Sequence, residues 1–264
     1  MSTTSQTALI TGASGGIGLE LARQFAQHGH DLVLVARSQD KLAQLAQELQ
    51  AAHGVTAHVM PADLTDPDAP NRLHAQLQEA GVPVHVLVNN AGFGAYGLFH
   101  ESTLEEELAM LQLNVVALTH LTHLFLQEMV ARRAGRVLNV ASTAAFQPGP
   151  LMAVYYASKA YVLHFSEALA NELAPFGVTV TALCPGPTVS GFQARADMEE
   201  SRLVQNRAVM MDAATVARQG YEALMAGKPV VIPGLFNKVG ALLPRFVPRH
   251  LTVKTIRFMQ ERTH

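Results

Sequence analysis

The sequence predicts an α/β protein, a doubly wound parallel sheet of about seven strands with helices on both faces. Short apolar runs alternate with longer segments of helical period, and strands joined through helices make right-handed crossovers into a parallel sheet. A glycine-rich turn stands between the first such strand and the first helix, the setting in which open α/β sheets bind nucleotides. No stretch in the middle of the 264 residues resembles a linker, so a single core is expected.

Composition narrows the function classes. Hydrophobic residues at 49% with 15% charged exclude disorder, and a net charge of -2 offers no overall attraction to nucleic acid. The single cysteine, Cys184, excludes an internal disulfide and a cysteine-rich metal site, and it reads as a small buried apolar residue. The start, Met1-Ser2-Thr3-Thr4-Ser5-Gln6, has neither the basic end nor the apolar run of a signal peptide, and no stretch reaches roughly 18 uninterrupted apolar residues. A soluble, cytoplasmic protein is the expectation.

Thr7 to Thr11 form the first strand, followed by Gly12-Ala13-Ser14-Gly15-Gly16-Ile17-Gly18 and a helical pattern through Leu19, Leu21, Ala22, Phe25 and Ala26. Glycines let the backbone turn sharply and approach a pyrophosphate, which the free N–H groups and positive end of the helix dipole favour; the plainer account is a tight turn. The second strand, Asp31 to Val35, runs into Ala36-Arg37, and a helix follows from about Gln39 to Ala52. A carboxylate at this strand end would bond a ribose 2′-hydroxyl and repel a phosphate, whereas the Arg37 guanidinium suits the 2′-phosphate of NADP. A charge-assisted contact of about 1.5 to 3 kcal/mol gives a preference of roughly tenfold to a hundredfold; the competing account is a solvated loop arginine.

The third strand, Thr56 to Met60, leads to Asp63-Leu64, and the fourth, Val84 to Val88, to Asn89-Asn90-Ala91-Gly92; both turns lie at carboxyl ends of strands. One long helix is expected from Thr103 to about Arg132, with Glu105, Glu106 and Glu107 in its favourable first turn. Asn114 interrupts the apolar segment of that helix and needs partners, either as a satisfied core amide or as part of a relay. Gly135 to Val140 form the fifth strand, with Ser142 just past its end. Tyr155 and Lys159 follow on a helix running to about Ala174, four residues apart and so on one face, where a cation beside a phenol favours phenolate. Val178 to Leu183 make the sixth strand, ending at Cys184-Pro185-Gly186-Pro187-Thr188, and Pro229 to Ile232 the seventh.

Taken together, Thr11-Gly12-x-x-x-Gly16-Ile17-Gly18, Asp63-Leu64, Asn89-Asn90-Ala91-Gly92, Asn114, Ser142, Tyr155-x-x-x-Lys159 and Pro185-Gly186 resemble the short-chain dehydrogenase/reductase family in its core-length form. The resemblance extends over nearly the whole chain to about residue 235. It implies a Rossmann-type fold and hydride transfer between NAD(P)H and a carbonyl or alcohol. It further implies that Tyr155 protonates the carbonyl oxygen in reduction, that Ser142 bonds the same oxygen, and that Lys159 binds the nicotinamide ribose and, with the positive nicotinamide, depresses the Tyr155 pKa. Asn114 would hold a water linking Lys159 to solvent. By the same resemblance the glycine turn (Gly12, Ser14, Gly15, Gly16, Ile17 and Gly18) binds pyrophosphate, Asp63 with Leu64 the adenine, Asn90, Ala91 and Gly92 the adenosine side, and Pro185, Gly186, Thr188 and Ser190 the nicotinamide amide. The chain departs from many relatives in having Thr188, Val189 and Ser190 after the Pro-Gly turn. NADP(H) is the expected cofactor, NAD(H) the alternative, and a non-catalytic dinucleotide-binding regulator the rival class.

Residues 1–235 are thus read as the dinucleotide-binding domain, including a substrate loop at 188–212. Phe192, Met198, Leu203, Val209, Met210 and Met211 in the loop suggest an apolar or aromatic carbonyl, with core packing as the alternative. The remainder, 236–264, is a basic amphipathic extension. Lys238, Arg245, Arg249, Lys254, Arg257 and Arg262 face only Glu261, amid Leu235, Phe236, Val239, Leu242, Leu243, Phe246, Val247, Leu251, Ile256, Phe258 and Met259. Such a segment can dock on anionic lipid, cover the substrate cleft or pack on a second subunit; Pro244 and Pro248 interrupt any long helix and weigh against the membrane reading. Twelve histidines include His120 and His123 at three residues' spacing, without a metalloprotease Glu or a cysteine cluster, so no metal is expected. A homodimer or homotetramer through the two long helices is the expected assembly.

Overall fold

A computed structural model of the chain describes residues 5–196, 198, 201–205 and 210–262. Its strands are β1 (Thr7–Thr11), β2 (Asp31–Ala36), β3 (Ala57–Pro61), β4 (Val86–Asn89), β5 (Gly135–Val140), β6 (Val178–Leu183), β7 (Thr188–Val189), β8 (Met211–Asp212) and β9 (Val230–Val231). Its α-helices are α1 (Gly16–Gln27), α2 (Gln39–His53), α3 (Ala69–Glu79), α4 (Leu104–Leu111), α5 (Leu118–Ala131), α6 (Ala153–Leu173), α7 (Phe192–Arg195), α8 (Arg202–Gln205), α9 (Ala213–Met225), α10 (Leu235–Leu242) and α11 (Arg249–Gln260).

The main sheet has seven strands in the order β3-β2-β1-β4-β5-β6-β9, and every pair is parallel. Winding runs outward from β1 to β3 in one direction and from β4 to β9 in the other. The crossovers therefore part between β1 and β4, leaving a crevice at the carboxyl ends of those strands. Pleating sends alternate residues to opposite faces. Ala8, Ile10, Leu32 and Leu34 pack with Leu21, Phe25, Leu45 and Val216 of α1, α2 and α9. Leu9, Val33 and Val35 pack with Leu73, Leu121 and Phe125 of α3 and α5. Each of these large side chains contributes about 1.5–3 kcal/mol when removed from water.

Two features differ from the sequence expectation. The helix expected to run unbroken from Thr103 to about Arg132 is α4 and α5 joined through a π-helical turn, Gln112–Ala117, which carries Asn114. The π turn widens the helix where the Asn114 amide takes up partners outside it. By length and composition the continuous Leu104–Ala131 segment could cross a membrane, but its Leu118, Leu121, Phe125 and Met129 are buried in the domain. The seventh strand is reduced to Val230–Val231, with Pro229 lending only its carbonyl to Ala182 N at 2.8 Å. A small separate ribbon, β7 with β8, ties the segment after the Pro-Gly turn to the start of α9.

Inside the sheet a polar rail crosses the apolar layers. Asn89 Nδ2 donates to Thr122 Oγ1 and to Asn139 Oδ1, both at 2.9 Å, and Asn139 Nδ2 donates to Ser166 Oγ at 2.9 Å. The rail links β4 and β5 to α5 and α6 through buried amides that bond one another, while Asn89 Oδ1 has no hydrogen-bond partner among the described residues. Replacing Asn139→Leu removes an acceptor for Asn89 and a donor for Ser166. Urea denaturation is expected to show a loss of about 1–3 kcal/mol, and an unchanged unfolding midpoint would mean that the rail carries no net stability.

Candidate active site

The site begins at the joint between β1 and β4. Thr11 Oγ1 donates to Val88 O at 3.2 Å and accepts from Asn90 N at 2.9 Å and Ala91 N at 3.0 Å, while Asn90 Nδ2 donates to Thr11 O at 2.8 Å. One hydroxyl and one amide thus lock the two strand ends side by side. The chain then turns through Gly12 (φ 68°) and Gly16 (φ 56°), a left-handed backbone that favours glycine. No side chain caps α1, so its first N–H groups face the crevice. A Cβ on Gly18 would collide with the carbonyl of Gly12 and the amide of Asn90, so this glycine allows the helix to sit tightly against the turn.

From this turn a cavity of about 400 Å³ extends across the ends of β4, β5 and β6. Gly12, Ser14, Gly15, Gly16, Ile17, Asn90, Ala91 and Gly92 line one part of it, and Ser142, Tyr155, Lys159, Pro185, Gly186, Thr188 and Ser190 another. Gly18 lies behind the wall, and the side chain of Leu64 is buried in the core beneath α3, so neither expected cofactor residue reaches the cavity with a side chain. Arg37 and Asp63 also lie outside the lining. They are exposed at the neighbouring ends of β2 and β3, where open α/β folds hold the adenosine ribose. Partial burial pushes the Asp63 carboxyl up, but hydrogen bonds from Thr65 and the nearby charges of Arg37 and Arg195 hold it below the usual range.

Tyr155 and Lys159 project from one face of α6, with the Lys159 Nζ 5.8 Å from the Tyr155 ring centroid. The ammonium donates to Val140 O at 2.8 Å. Burial pushes Lys159 down to about 8, opposed by Cys184. Burial also pushes the Tyr155 phenol up, opposed by a hydrogen bond with Ser142 and reinforced by Tyr156. Among the chain's own groups, desolvation of the phenolate outweighs the bond from Ser142. Ser142 Oγ accepts from Ala144 N at 3.1 Å at the start of a short 3₁₀ turn, which fixes its position past β5.

Asn114 is the structural brace of the group. Its Oδ1 accepts from Phe93 N at 3.1 Å, and its Nδ2 donates to Phe93 O at 2.9 Å and Ser158 Oγ at 3.1 Å. The π turn is thereby fastened to the segment after Gly92 and to α6 between Tyr155 and Lys159. Gly92 leaves the room required, since a Cβ there would lie 2.9 Å from Asn114 Oδ1 and 3.5 Å from Lys159 Nζ.

The far wall contains residues that sequence motifs did not single out. Met152 immediately precedes α6 and Tyr156 lies in it, Gln193 and Arg195 come from α7, and Gln260 from the end of α11. Gln260 is buried, donates to Tyr156 Oη at 2.5 Å, and accepts from Tyr96 Oη at 2.6 Å through its carbonyl. Its Oε1 has no hydrogen-bond partner among the described residues. Of the expected substrate-loop residues, Phe192 and Met198 line the cavity, and Phe192 stands 5.2 Å from the Tyr155 ring. Met211 instead packs on the first core, whereas Val209 and the side chain of Leu203 lie outside the described residues. The only advance signal for Gln260 was the apolar character of the tail around it. Among the described residues no group of three or more His, Cys, Asp or Glu converges on a metal-sized site, and His120 is engaged by Asn71 at 3.0 Å.

This topology and this cavity define a doubly wound fold of the dinucleotide-binding type, and the family follows from comparison. Residues 6–201 match the model of the short chain dehydrogenase family, and the chain belongs to that family. Among curated proteins it is 37% identical over 183 residues to ketoacyl reductase HetN of Nostoc sp., covering 69% of this chain and 63% of that protein. It is 35% identical over 182 residues to 17-beta-hydroxysteroid dehydrogenase type 3 of Mus musculus, covering 68% and 59% respectively. The matches thus span about three-fifths of these relatives' length. Among solved structures, a short-chain dehydrogenase from Sphingobium yanoikuyae in complex with NADPH superposes with a TM-score of 0.82 at 34% identity, covering 91% of this chain and 93% of that one.

The buried lysine has a measurable consequence. Lys159 falls to about 8 from an ordinary 10.5, so between these values the folded chain binds fewer protons than the unfolded chain, and this group's contribution to stability rises with pH. Tyr155 and Cys184, both raised by burial, act in the opposite sense as pH passes their ordinary values of 10.0 and 9.0. Between about pH 8 and 9, urea unfolding of the wild type is therefore expected to gain stability relative to Lys159→Met. Parallel pH curves for the two proteins would contradict a desolvated lysine.

Proposed function

We propose that this chain is an NADP(H)-dependent oxidoreductase that interconverts a carbonyl and an alcohol, with an apolar or aromatic ketone or aldehyde as substrate. The observation that carries the reading is the convergence of Ser142, Tyr155 and Lys159 on the cavity that begins at the glycine turn. The turn fits a dinucleotide. A Cβ at Gly15 would meet nothing within 4 Å, so the backbone is open to close approach by a phosphate, and the α1 N-terminus favours its charge. Arg37, at a strand end without a carboxylate, supports the 2′-phosphate and hence NADP over NAD. The likeness to a dehydrogenase in complex with NADPH supports the same choice.

In this reading bound NADPH supplies the hydride. Tyr155 holds a proton at Oη, and its raised pKa keeps it there at neutral pH, ready to donate to the substrate oxygen in the reductive direction. Ser142 bonds the same oxygen and orients it. Lys159 stands close enough to favour the tyrosinate when the proton leaves. Asn114 positions Lys159 and Tyr155 by holding α6 through Ser158. Met152, Tyr156, Phe192 and Met198 give the far wall an apolar surface, and the relatives named as ketoacyl reductase and hydroxysteroid dehydrogenase support an apolar substrate class. Exposed Leu104, Leu108, Val116 and Tyr161 on the α4–α5 and α6 faces support self-association there.

Two substitutions test the assignment. Tyr155→Phe is expected to lower NADPH-dependent reduction across a panel of aliphatic, aromatic and steroid-like ketones by about 10²–10⁴ while NADPH still binds. Retained turnover would exclude Tyr155 as the proton donor. Arg37→Glu is expected to weaken NADPH binding roughly tenfold to a hundredfold and leave NADH nearly unaffected. Equal losses for both cofactors in calorimetric titration would remove Arg37 from the 2′-phosphate site.

A further inference from the structure

The C-terminal extension is inside out relative to an ordinary surface helix pair. Asn237, Ala241, Thr252 and Gln260 are the residues of α10 and α11 that are buried. Leu235, Phe236, Val239, Leu242, Leu243 and Phe246 are exposed, Phe236 at 74% and Phe246 at 83%. The inner face is accounted for. Asn237 sits behind Gly186 and donates to Pro233 O at 2.9 Å, Ile256 packs against the apolar cluster around Met152 and Tyr155, and Gln260 lines the far wall of the cavity. The outer face has no such account among the described residues, and so many large apolar side chains in twelve consecutive positions exceed the scattered exposure normal for a surface.

Charge indicates what the outer face fits. Exposed Lys238, Arg245, Arg249 and Lys254 lie among or beside these side chains. Between residues 235 and 262 the only carboxylate side chain is Glu261, which is paired with Arg257 at 3.2 Å. The whole chain carries a net -2, so the remainder is negative and this one end carries a net excess of positive charge. A second copy docking through the same patch would bring like charges face to face, which an isologous contact cannot avoid. An anionic bilayer surface meets both features at once, admitting the aromatic and aliphatic side chains at the headgroup boundary and attracting the basic ring.

We propose that the outer face of α10 and the following turn, centred on Phe236 and Phe246 with Lys238 and Arg245, docks the protein on anionic lipid membranes. The breaks at Pro244 and Pro248, expected to oppose a membrane reading, are no obstacle, because docking uses a short helix and a turn lying on the surface rather than a spanning helix. The same extension contributes Gln260 to the cavity wall.

Flotation of the full chain with vesicles tests this. The protein is expected to float with phosphatidylcholine vesicles containing about a third phosphatidylserine, to remain behind with phosphatidylcholine alone, and to detach as salt rises. The double variants Lys238→Glu/Arg245→Glu and Phe236→Ser/Phe246→Ser are each expected to lose at least about tenfold in partition coefficient with an unchanged thermal unfolding midpoint. The wild-type lipid and salt dependence requires no variant and stands if a variant fails to fold. Absence of flotation with either vesicle, or equal flotation with both regardless of salt, would overturn the proposal. So would light scattering that shows a dimer converted to monomer by Phe236→Ser/Phe246→Ser, which would assign the face to a second copy.

Discussion

The bond set at Thr11 and Asn90 is the constraint from which the rest of the structure follows. A parallel sheet whose strand order reverses between β1 and β4 must open at that point, because the two crossovers leave in opposite directions. Thr11 and Asn90 hold the opened strand ends at fixed separation with four hydrogen bonds of 2.8–3.2 Å. Gly18 lets α1 close against this joint, and the turn between them is left facing outward with free N–H groups. The cavity inherits its position from this joint, and the side chains of Ser142, Tyr155 and Lys159 reach it from the segment just past β5, the strand beside β4, and from α6, the helix that follows.

Burial supplies the second half of the chemistry. A phenol and an ammonium held beside each other in water would differ little from free tyrosine and lysine. Here both are desolvated, and their protonation preferences are driven toward neutrality from opposite directions. Such a pair is costly to hold in place, which explains the brace around it: Asn114 fastened to Phe93 and Ser158, Lys159 bonded to Val140, and the Asn89–Asn139–Ser166 rail below. The π turn belongs to the same arrangement, because it is there that the long helix gives up regular geometry to hold Asn114.

Much of this arrangement was legible in the sequence where local chemistry determines it. β1, β5 and β6 have the expected bounds, since an apolar run between turn residues identifies a buried parallel strand. The glycine turn, Tyr155-x-x-x-Lys159 and the Pro-Gly turn reach one cavity as their order along an alternating chain requires. What stayed illegible depends on distant partners. The π turn at Asn114 arises from bonds to Phe93 and Ser158, 21 and 44 residues away, and no periodicity records them. Gln260 meets Tyr156 across 104 residues. The motifs group Leu64 and Gly18 with the binding residues but do not record that the Leu64 side chain lies in the core or that Gly18 lets α1 pack against the turn. The upward push of burial on the Tyr155 phenol was likewise illegible, because a helical spacing reports a neighbouring cation but not the depth at which the pair is buried.

The central claim is that the cavity brings a reducible carbonyl and the cofactor's reactive carbon together under Tyr155. The most direct measurement is transfer of deuterium from NADPH labelled at the nicotinamide C4 position, in the label of either face, to a lipophilic ketone, read by mass spectrometry of the product alcohol. The account predicts deuterium on the carbinol carbon from one label and none from the other. NADPH that binds while neither label reaches any alcohol across the ketone panel would contradict it.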